Sequence, residues 1–300
     1  MNPLFCPLCG ANETEISYKG KVASDLTSLK ASGSSFGNRD IFECLICTLF
    51  FCSPLPSSAE LFEAYNESSD EDFVSQNSYR YNTFDKYFSN FMNKMDFSYK
   101  EIHVTDIGAA SGVFLSALKN RGISSSGLEA NSWLVNYGRK HYGVDLHRGG
   151  DLDFVPNSEM RNIVTYWDVL EHLPDPKSSI SFMASALRKE SIIFLSLPST
   201  DSKSFKFLKW YWPMHLDVHL FYFNQKSLDA LFSNLGFKRI YVSNYWQTIS
   251  IGYLILRILR IISFNRFSNL DSTKFTDSWL NRIPFPYSVG QRIYVYEKVK

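Results

Sequence analysis

The chain has 300 residues with 31 basic and 30 acidic side chains, which gives a formal net charge of +1. This near balance gives no sign of the strong basic field with which proteins attract nucleic acid or a membrane surface. The length suits one large domain or two small ones. The first residues lack the basic and apolar regions of a signal peptide, so we expect a cytoplasmic protein whose thiols stay reduced.

Four of the five cysteines form two Cys-x-x-Cys pairs near the N-terminus, Cys6 with Cys9 and Cys44 with Cys47. In a reducing compartment, two such pairs are the usual way to build a tetrahedral thiolate site for zinc. Four unligated thiols are the plain alternative, and a catalytic thiol pair fits less well because neither pair lies in a βαβ context. We predict a structural zinc site, closed on all four sides, in a zinc-binding region over residues 1–56.

Residues 57–99 are predicted to form a helical linker. Aromatic residues recur at helical spacing between Tyr79 and Met95, which is typical of a helix that packs on a core. A shorter helix is expected over residues 59–65. A flexible loop rich in glycine and serine is expected over residues 31–37, between the two cysteine pairs.

A short glycine-containing turn follows the first strongly apolar strand pattern, which covers residues 102–107. The turn reads Asp-Ile-Gly-Ala-Ala-Ser-Gly from Asp106 to Gly112, and an amphipathic helix is predicted over residues 112–120. Strand, glycine turn and helix present backbone N–H groups and a helix N-terminus to a nucleotide-like ligand. Small residues permit the close approach that a Cβ would block. The pattern predicts an adenosine-containing cofactor.

Strands and helices alternate from residue 100 onward, which predicts an α/β fold with a sheet of parallel strands and helices on both faces. Further strands are expected over residues 123–128, 144–147, 163–170, 191–197, 239–243 and 292–297, and helices over residues 133–141, 176–189 and 224–235. The ligand site of such a sheet is the crevice at the carboxyl ends of its strands.

Polar residues stand at the ends of several predicted strands. Glu129 closes the second strand, 21 residues after Gly108, where a carboxylate can accept both hydroxyls of a ribose. Asp151 and Leu152 follow the third strand and are placed to meet an adenine ring. After the fourth strand comes a dense polar run, for which a core strand has no use, containing Trp167, Asp168, Glu171 and His172.

Together these motifs resemble the class I S-adenosylmethionine-dependent methyltransferases, in particular a bacterial group with an N-terminal four-cysteine zinc region. The resemblance rests on the two cysteine pairs, Asp106-x-Gly108-x-x-x-Gly112, Glu129, Val169-Leu170-Glu171-His172-Leu173-x-x-Pro176, His215-Leu216-x-x-His219-Leu220-Phe221-Tyr222 and Val289-Gly290-x-x-Ile293-x-Val295. Each motif is weak alone, but their order and spacing together are fairly specific. Many members have Gly-x-Gly-x-Gly in the turn. Here Ala110 stands at the middle position, where alanine is expected to be tolerated if its φ is negative, at some cost in cofactor affinity.

The resemblance implies a Rossmann-like, seven-stranded methyltransferase sheet over residues 100–300, with S-adenosylmethionine as the cofactor. By position, it places the methionine part and the turn at Asp106, Gly108, Ala109 and Gly112, the ribose at Glu129, the adenine at Asp151 with Leu152, and the border of the methionine moiety at Trp167 or Asp168.

Methyl transfer from a sulfonium depends mainly on in-line alignment with the acceptor, and a base is needed only for a hydroxyl or a carbon acid. His172 is the best-placed candidate base, with Glu171 able to orient it, and His219 and His215 come next. The structural alternative is a histidine bonded to a loop carbonyl or capping a helix. For His172 the structural role and the role as a base are about equally expected, whereas for His215 and His219 the structural role is favoured.

Two insertions interrupt the alternating pattern. Residues 199–223 are rich in aromatic side chains and are predicted to form an acceptor-site lid, with a homodimer surface as the alternative. Residues 247–288 include an apolar amphipathic helix over 251–262, which is far shorter than the roughly 20 residues of a membrane span. We expect this helix to pack over the acceptor site or on a second subunit, with peripheral membrane contact as the alternative.

The resemblance predicts a methyltransferase for a small-molecule acceptor, and it suggests a sugar or a nucleotide-linked sugar. A nicotinamide-dependent oxidoreductase also uses a glycine turn and an acid, but the third glycine of its motif is absent and the Glu171-His172 pair has no role there. A non-catalytic cofactor-binding scaffold is the second alternative. Nucleic-acid binding is disfavoured because no basic stripe surrounds either cysteine pair.

Overall fold

The computed structural model describes residues 4–20, 39–57, 61, 71–262 and 279–300. The loop expected over residues 31–37 lies outside the described residues, as does the helix expected over 59–65 apart from Leu61. The first elements are β1 (Thr14–Tyr18), β2 (Ile41–Cys44), β3 (Phe50–Cys52), α1 (Glu71–Ser75) and α2 (Asn77–Met95).

An alternating series of strands and helices follows. It consists of β4 (Ile102–Ile107), α3 (Val113–Asn120), β5 (Ser124–Glu129), α4 (Ser132–Tyr142), β6 (Leu146–Arg148), β7 (Arg161–Trp167), α5 (Pro176–Ala186) and β8 (Ile192–Pro198). The remainder comprises α6 (Lys203–Leu208), β9 (Phe221–Tyr222), α7 (Gln225–Asn234), β10 (Phe237–Asn244), β11 (Gln247–Ser250), α8 (Ile251–Ile262), β12 (Pro284–Tyr287) and β13 (Gln291–Lys298).

Seven strands form the main sheet in the order β10-β13-β8-β7-β4-β5-β6, which confirms the predicted fold class. The pairs among β4 to β8 are parallel. The expectation of an all-parallel sheet is wrong at β13, which runs antiparallel to both β8 and β10. An antiparallel neighbour needs no crossover helix, so this strand can slot between two parallel ones. The strand order reverses at β4, so the crevice opens at the carboxyl ends of β4 and β7.

Apolar side chains cover both faces of this sheet. Every residue of β8 is buried, as expected for a strand with helices on both sides. On one face of the sheet, α2 contributes Phe88, Phe91 and Met92 to the core. Phe91 and Met92 follow Phe88 by three and four positions, so all three side chains lie on the same side of the helix. That packing fixes α2 against this face of the sheet.

A second sheet carries the cysteines. Its order is β1-β2-β3-β9, with antiparallel pairing throughout. The strand β9 comes from the aromatic insertion, and Phe51 of β3 pairs with Phe221 of β9. The same insertion reaches β1, where the Trp210 indole donates to the Ser17 carbonyl at 3.1 Å. The insertion therefore ties the cysteine region to the main sheet.

The helix α8 begins directly after β11, and β11 pairs with β12. Tyr253 and Leu256 of α8 are buried, whereas Ile258 is 44% exposed. Within the part of the chain that the structure describes, no helix combines the length and the apolarity needed to cross a membrane.

Candidate active site

The glycine turn between β4 and α3 uses left-handed backbone at three positions. The φ angles are +67° at Gly108, +48° at Ala110 and +70° at Gly112. A Cβ at Gly108 would lie 2.6 Å from a methyl carbon of Val169, so only glycine fits there. The φ of Ala110 is positive, and the negative φ that was the condition for tolerating alanine is not met. Alanine holds this conformation while its N–H donates to the Glu129 carboxylate at 2.8 Å.

Two glycines outside the motif also shape the turn. A Cβ on Gly127 of β5 would lie 2.9 Å from the Ala109 Cβ, and one on Gly138 of α4 would lie 2.6 Å from the Ser111 carbonyl oxygen. Sequence reasoning missed both. The available signal was a glycine inside a strand and another inside a helix, which often mark a close backbone approach.

Glu129 ends β5 beside the turn, as predicted from the sequence. One of its oxygens accepts from the Ala110 N–H and the other from the Asn131 N–H, each at 2.8 Å. Burial raises the pKa of Glu129, and these backbone donors act in the opposite direction. The carboxylate is thus held at the turn by two donors of the protein itself.

Asp106 lies within β4 rather than at its end, and it is buried. Its carboxylate accepts from the Thr165 hydroxyl of β7 at 2.6 Å. Burial raises the pKa of Asp106 to about 8. The adenine candidates sit at the other side, in a 3₁₀ turn over Asp151–Asp153, where Leu152 is 62% exposed and offers an apolar face.

Trp167 and Asp168 follow one another at the end of β7 but face different surroundings. Trp167 packs among aromatic rings, including Phe84 at 4.7 Å between centroids, and its indole nitrogen has no partner among the described residues. Asp168 accepts from the side-chain amides of Gln247 and Gln291 at 3.0 and 3.1 Å. Burial raises the pKa of Asp168, while its hydrogen bonds lower it.

The structure adds three amide side chains that sequence reasoning did not find. Two are Gln247 and Gln291, held by Asp168. The third is Asn77 of α2, whose amide nitrogen donates to the Ser111 hydroxyl of the turn at 2.9 Å. The side-chain amide oxygens of Asn77 and Gln291 are buried and have no partner among the described residues. No local sequence pattern marks these residues, because they meet only in the folded chain.

This edge of the sheet fits a ligand with both anionic and hydrogen-bonding groups. Helix α3 begins at Val113 with no side chain capping its N-terminal N–H groups, so they are available to an anion. The unpartnered side-chain amide oxygens of Asn77 and Gln291 could accept a hydrogen bond from a ligand donor such as an ammonium group. The indole N–H of Trp167 could donate one to a ligand acceptor. Buried polar atoms without partners are rare in folded proteins, and at this edge of the sheet a ligand could supply their partners.

A second group of polar residues lies just beyond the end of β7. Glu171, His172 and His219 each offer a ligand atom, and these atoms all lie within 4.8 Å of one another. Burial lowers the pKa of His172 to about 4 and, with the nearby charge of Asp168, raises the pKa of Glu171 well above its usual range.

Glu171 does not orient His172 through a hydrogen bond, contrary to the expectation from the sequence. Both carboxylate oxygens of Glu171 lack a partner in the described part of the chain. The His172 Nδ1 instead contacts the Val218 carbonyl at 2.9 Å. His215 stands apart from this group, with its Nδ1 at 3.0 Å from the Trp210 carbonyl and its ring against Tyr18.

The four cysteines converge as the sequence predicted. The Sγ atoms of Cys6 and Cys47 are 3.6 Å apart, and so are those of Cys9 and Cys44. A tetrahedron with Zn–S bonds of about 2.3 Å has S–S edges of about 3.8 Å, so the spacing fits zinc. The hydrogen bond from Cys47 lowers the pKa of the Cys6 thiol to about 5, which favours the thiolate that a metal needs.

Comparison with known proteins agrees with this architecture. A family model described as a methyltransferase domain matches residues 79–242, more than half of the chain. The chain is 26% identical over 112 residues to the ubiquinone biosynthesis O-methyltransferase of Actinobacillus pleuropneumoniae serotype 5b (strain L20), covering 34% of this chain and 48% of that protein. The identity to the protein of the same name from Coxiella burnetii (strain Dugway 5J108-111) is 24% over 108 residues, covering 34% and 46%. The chain thus spans about half the length of the curated relatives it matches.

Solved structures with a similar arrangement include the YcgJ protein from Bacillus subtilis, with a TM-score of 0.49 and 16% identity over 70% of this chain and 97% of that one. Magnesium protoporphyrin IX methyltransferase from Synechocystis PCC 6803 has a TM-score of 0.48 and 14% identity, over 77% of this chain and 89% of that one. From the family model and the sheet order, the chain belongs to the methyltransferase-domain family, as a class I S-adenosylmethionine-dependent member with an N-terminal four-cysteine cluster.

Proposed function

We propose that this chain transfers a methyl group from S-adenosylmethionine to the oxygen of a small-molecule acceptor, a sugar or a nucleotide-linked sugar. The observation that carries the proposal is the glycine turn at the switch point of the sheet, with Glu129 bonded to it by the Ala110 N–H. Oxygen as the acceptor atom is favoured because the curated relatives are named O-methyltransferases.

The cofactor would lie along the carboxyl ends of β4, β5 and β7. Gly108, Ala109 and Gly112 give the backbone approach, and Glu129 is placed for the ribose hydroxyls. Asp106 supports the turn from below through its bond to Thr165, and Trp167 and Asp168 would border the methionine part. Asp151 and Leu152 would meet the adenine. When bound, the cofactor supplies an electrophilic sulfonium methyl group.

The acceptor would enter beside the Glu171, His172 and His219 group. These three residues are the proposed activators of the acceptor, because Glu171 and His172 follow the end of β7 and the ligand atom of His219 lies within 4.8 Å of theirs. An acceptor hydroxyl must lose its proton during the transfer, and a neutral imidazole nitrogen can take up a proton or bind a cation that promotes its loss.

The four-cysteine cluster is proposed to hold a structural zinc ion. All four positions are taken by thiols, which leaves no open site for chemistry. The zinc would fix the region that pairs with β9, and β9 continues from the segment containing His219. On this proposal residues 1–56 form the zinc-binding region, 57–99 the helical linker and 100–300 the catalytic domain, with residues 199–223 covering the acceptor site.

Calorimetric titration with S-adenosylmethionine, S-adenosylhomocysteine and NADH tests the proposal. We expect the zinc-loaded protein to bind both sulfur compounds, and Glu129→Ala to abolish that binding while the protein stays folded. Glu159→Ala, which removes an exposed carboxylate outside the site, serves as the matched control and should bind as the parent does. Binding of NADH alone would assign the chain to the oxidoreductases, and binding of none of the three would leave a scaffold role.

A further inference from the structure

The Glu171, His172 and His219 group has the composition of a metal-binding triad. It brings two imidazoles and one carboxylate together from two separate segments, with all three ligand atoms within 4.8 Å of one another. Glu171 is 1% exposed and His219 5% exposed, so the group is largely enclosed. The usual role of such a set, with positions left open, is to bind a transition-metal cation.

Both imidazoles are fixed in the tautomer that suits a metal. The Nδ1 atom of His172 lies 2.9 Å from the Val218 carbonyl oxygen, and that of His219 lies 2.8 Å from the Met214 carbonyl oxygen. Because a carbonyl only accepts, each Nδ1 carries the proton and donates it. Each Nε2 then has its lone pair in the ring plane. Metal-binding histidines typically show this arrangement, since the outer hydrogen bond sets the ring's orientation and basicity.

Glu171 supplies the second, independent observation. Both of its carboxylate oxygens are buried without a partner in the described part of the chain, although its backbone carbonyl is fixed by the Leu220 N–H at 2.9 Å. The ion pairs within the described ranges do not include it. Burying an unpaired carboxylate is costly, so such groups are normally protonated, paired or bound to a metal. The candidate partners within 4.8 Å of Glu171 are the imidazoles of His172 and His219.

We propose that Glu171, His172 and His219 bind one divalent transition-metal cation such as Zn²⁺, separate from the cysteine site. A set of two imidazoles and one carboxylate suits this class better than Mg²⁺ or Ca²⁺, which prefer oxygen ligands. The three residues leave at least one coordination position open. The proposal rests on the proposed function only for what occupies that open position.

A cation held by Glu171, His172 and His219 would lower the pKa of an acceptor hydroxyl, whose proton would leave to water. The O–CH₃ bond then forms as the S–CH₃ bond of the cofactor breaks, and S-adenosylhomocysteine is released. His172 is a ligand in this arrangement and not the proton acceptor.

Cobalt titration tests the proposal directly. The full chain is first loaded with Zn²⁺ to fill the four-cysteine cluster, and Co²⁺ is then added under anaerobic conditions. We expect one further Co²⁺ per chain, with visible d–d absorption and without the thiolate charge-transfer band that cobalt at cysteines would give. Glu171→Gln and His219→Ala should each weaken this binding at least about tenfold. His147→Ala, which removes an exposed imidazole from its pair with Asp145, is the matched control and should leave it unchanged.

Each result decides the proposal. It is overturned if no cobalt binds after zinc loading, if the absorption shows thiolate ligation, or if both site variants bind cobalt as tightly as the parent. Glu171→Gln keeps the size of the side chain and removes its buried charge, so its fold should persist, and circular dichroism checks this. Titration of the same samples with S-adenosylhomocysteine separates the two proposals. Loss of cobalt binding with intact cofactor binding removes only the metal site, and the reverse removes only the methyltransferase proposal.

Discussion

Gly138 of α4 offers a prediction in which helix propensity and packing have opposite signs. Glycine inside a helix is usually less stable than alanine by about 0.8–1.0 kcal/mol, so propensity alone predicts that Gly138→Ala stabilises the protein. In the structure, the added Cβ would lie 2.6 Å from the Ser111 carbonyl oxygen, whereas real Cβ atoms essentially never come closer than 3.0 Å. The oxygen belongs to the backbone of the glycine turn and cannot rotate away.

The helix must therefore move from the turn by about half an ångström, and overpacking of this kind costs about 1–3 kcal/mol. We expect Gly138→Ala to lose about 1 kcal/mol of unfolding free energy after the propensity gain is subtracted, and to bind S-adenosylhomocysteine more weakly. Urea denaturation and calorimetry measure the two effects. Gly150→Ala is the control, because its Cβ would meet nothing within 4 Å, and it should be neutral or slightly stabilising. A Gly138→Ala protein that is about 1 kcal/mol more stable, with unchanged affinity, would refute the packing argument.

Three further predictions concern single groups. Ala110→Gly should gain up to about 1 kcal/mol in urea denaturation, because its left-handed φ costs an L residue roughly 1–2 kcal/mol, whereas the buried Ala109→Gly should lose about 1 kcal/mol. An equal loss of unfolding free energy in the two variants would show that the backbone of Ala110 is not strained. For Asp106, whose pKa is raised to about 8, the stabilising protonated form is complete below about pH 4 and is lost as the pH rises to 8. Asp106→Asn should therefore gain stability relative to the parent between pH 5 and pH 9, and a constant difference across that range would count against the assignment. Cys44→Ser should lose one bound zinc and the hydrogen-exchange protection of β1–β3 while S-adenosylhomocysteine still binds, and joint loss of zinc and cofactor binding would disprove separate roles.

Local sequence patterns were sufficient for the parts of the fold that depend on neighbouring residues. The apolar run ending at Ile107 and the small residues after it located β4 and its turn, because strand and turn preferences are short-range. The position of Glu129 at the end of β5 was predicted because it follows an apolar strand pattern, 21 residues beyond Gly108. The two Cys-x-x-Cys pairs predicted the cysteine cluster because such pairs typically build one tetrahedral thiolate site.

Other features depend on distances that no local pattern encodes. Gly127 and Gly138 matter because a strand and a helix approach the turn closely, and Gln291 matters because β13 slots between β8 and β10. The direction of β13 was mispredicted since an alternating apolar strand reads the same in either orientation. The positive φ of Ala110 was not predicted either, because alanine rarely adopts the left-handed region and the surrounding structure imposes it here.

The pairing of Phe51 with Phe221 places the last strand of the cysteine sheet 170 residues after its neighbour in the chain. A ribosome that adds about 5–20 residues per second needs roughly 10–30 s to synthesise that interval. All four cysteines emerge long before, so the proposed zinc ion could bind before the sheet is complete. Until β9 arrives, the edge of β3 is unpaired, and an open strand edge invites association with other chains. Nascent chains halted before residue 221 are therefore the form of this protein most exposed to aggregation.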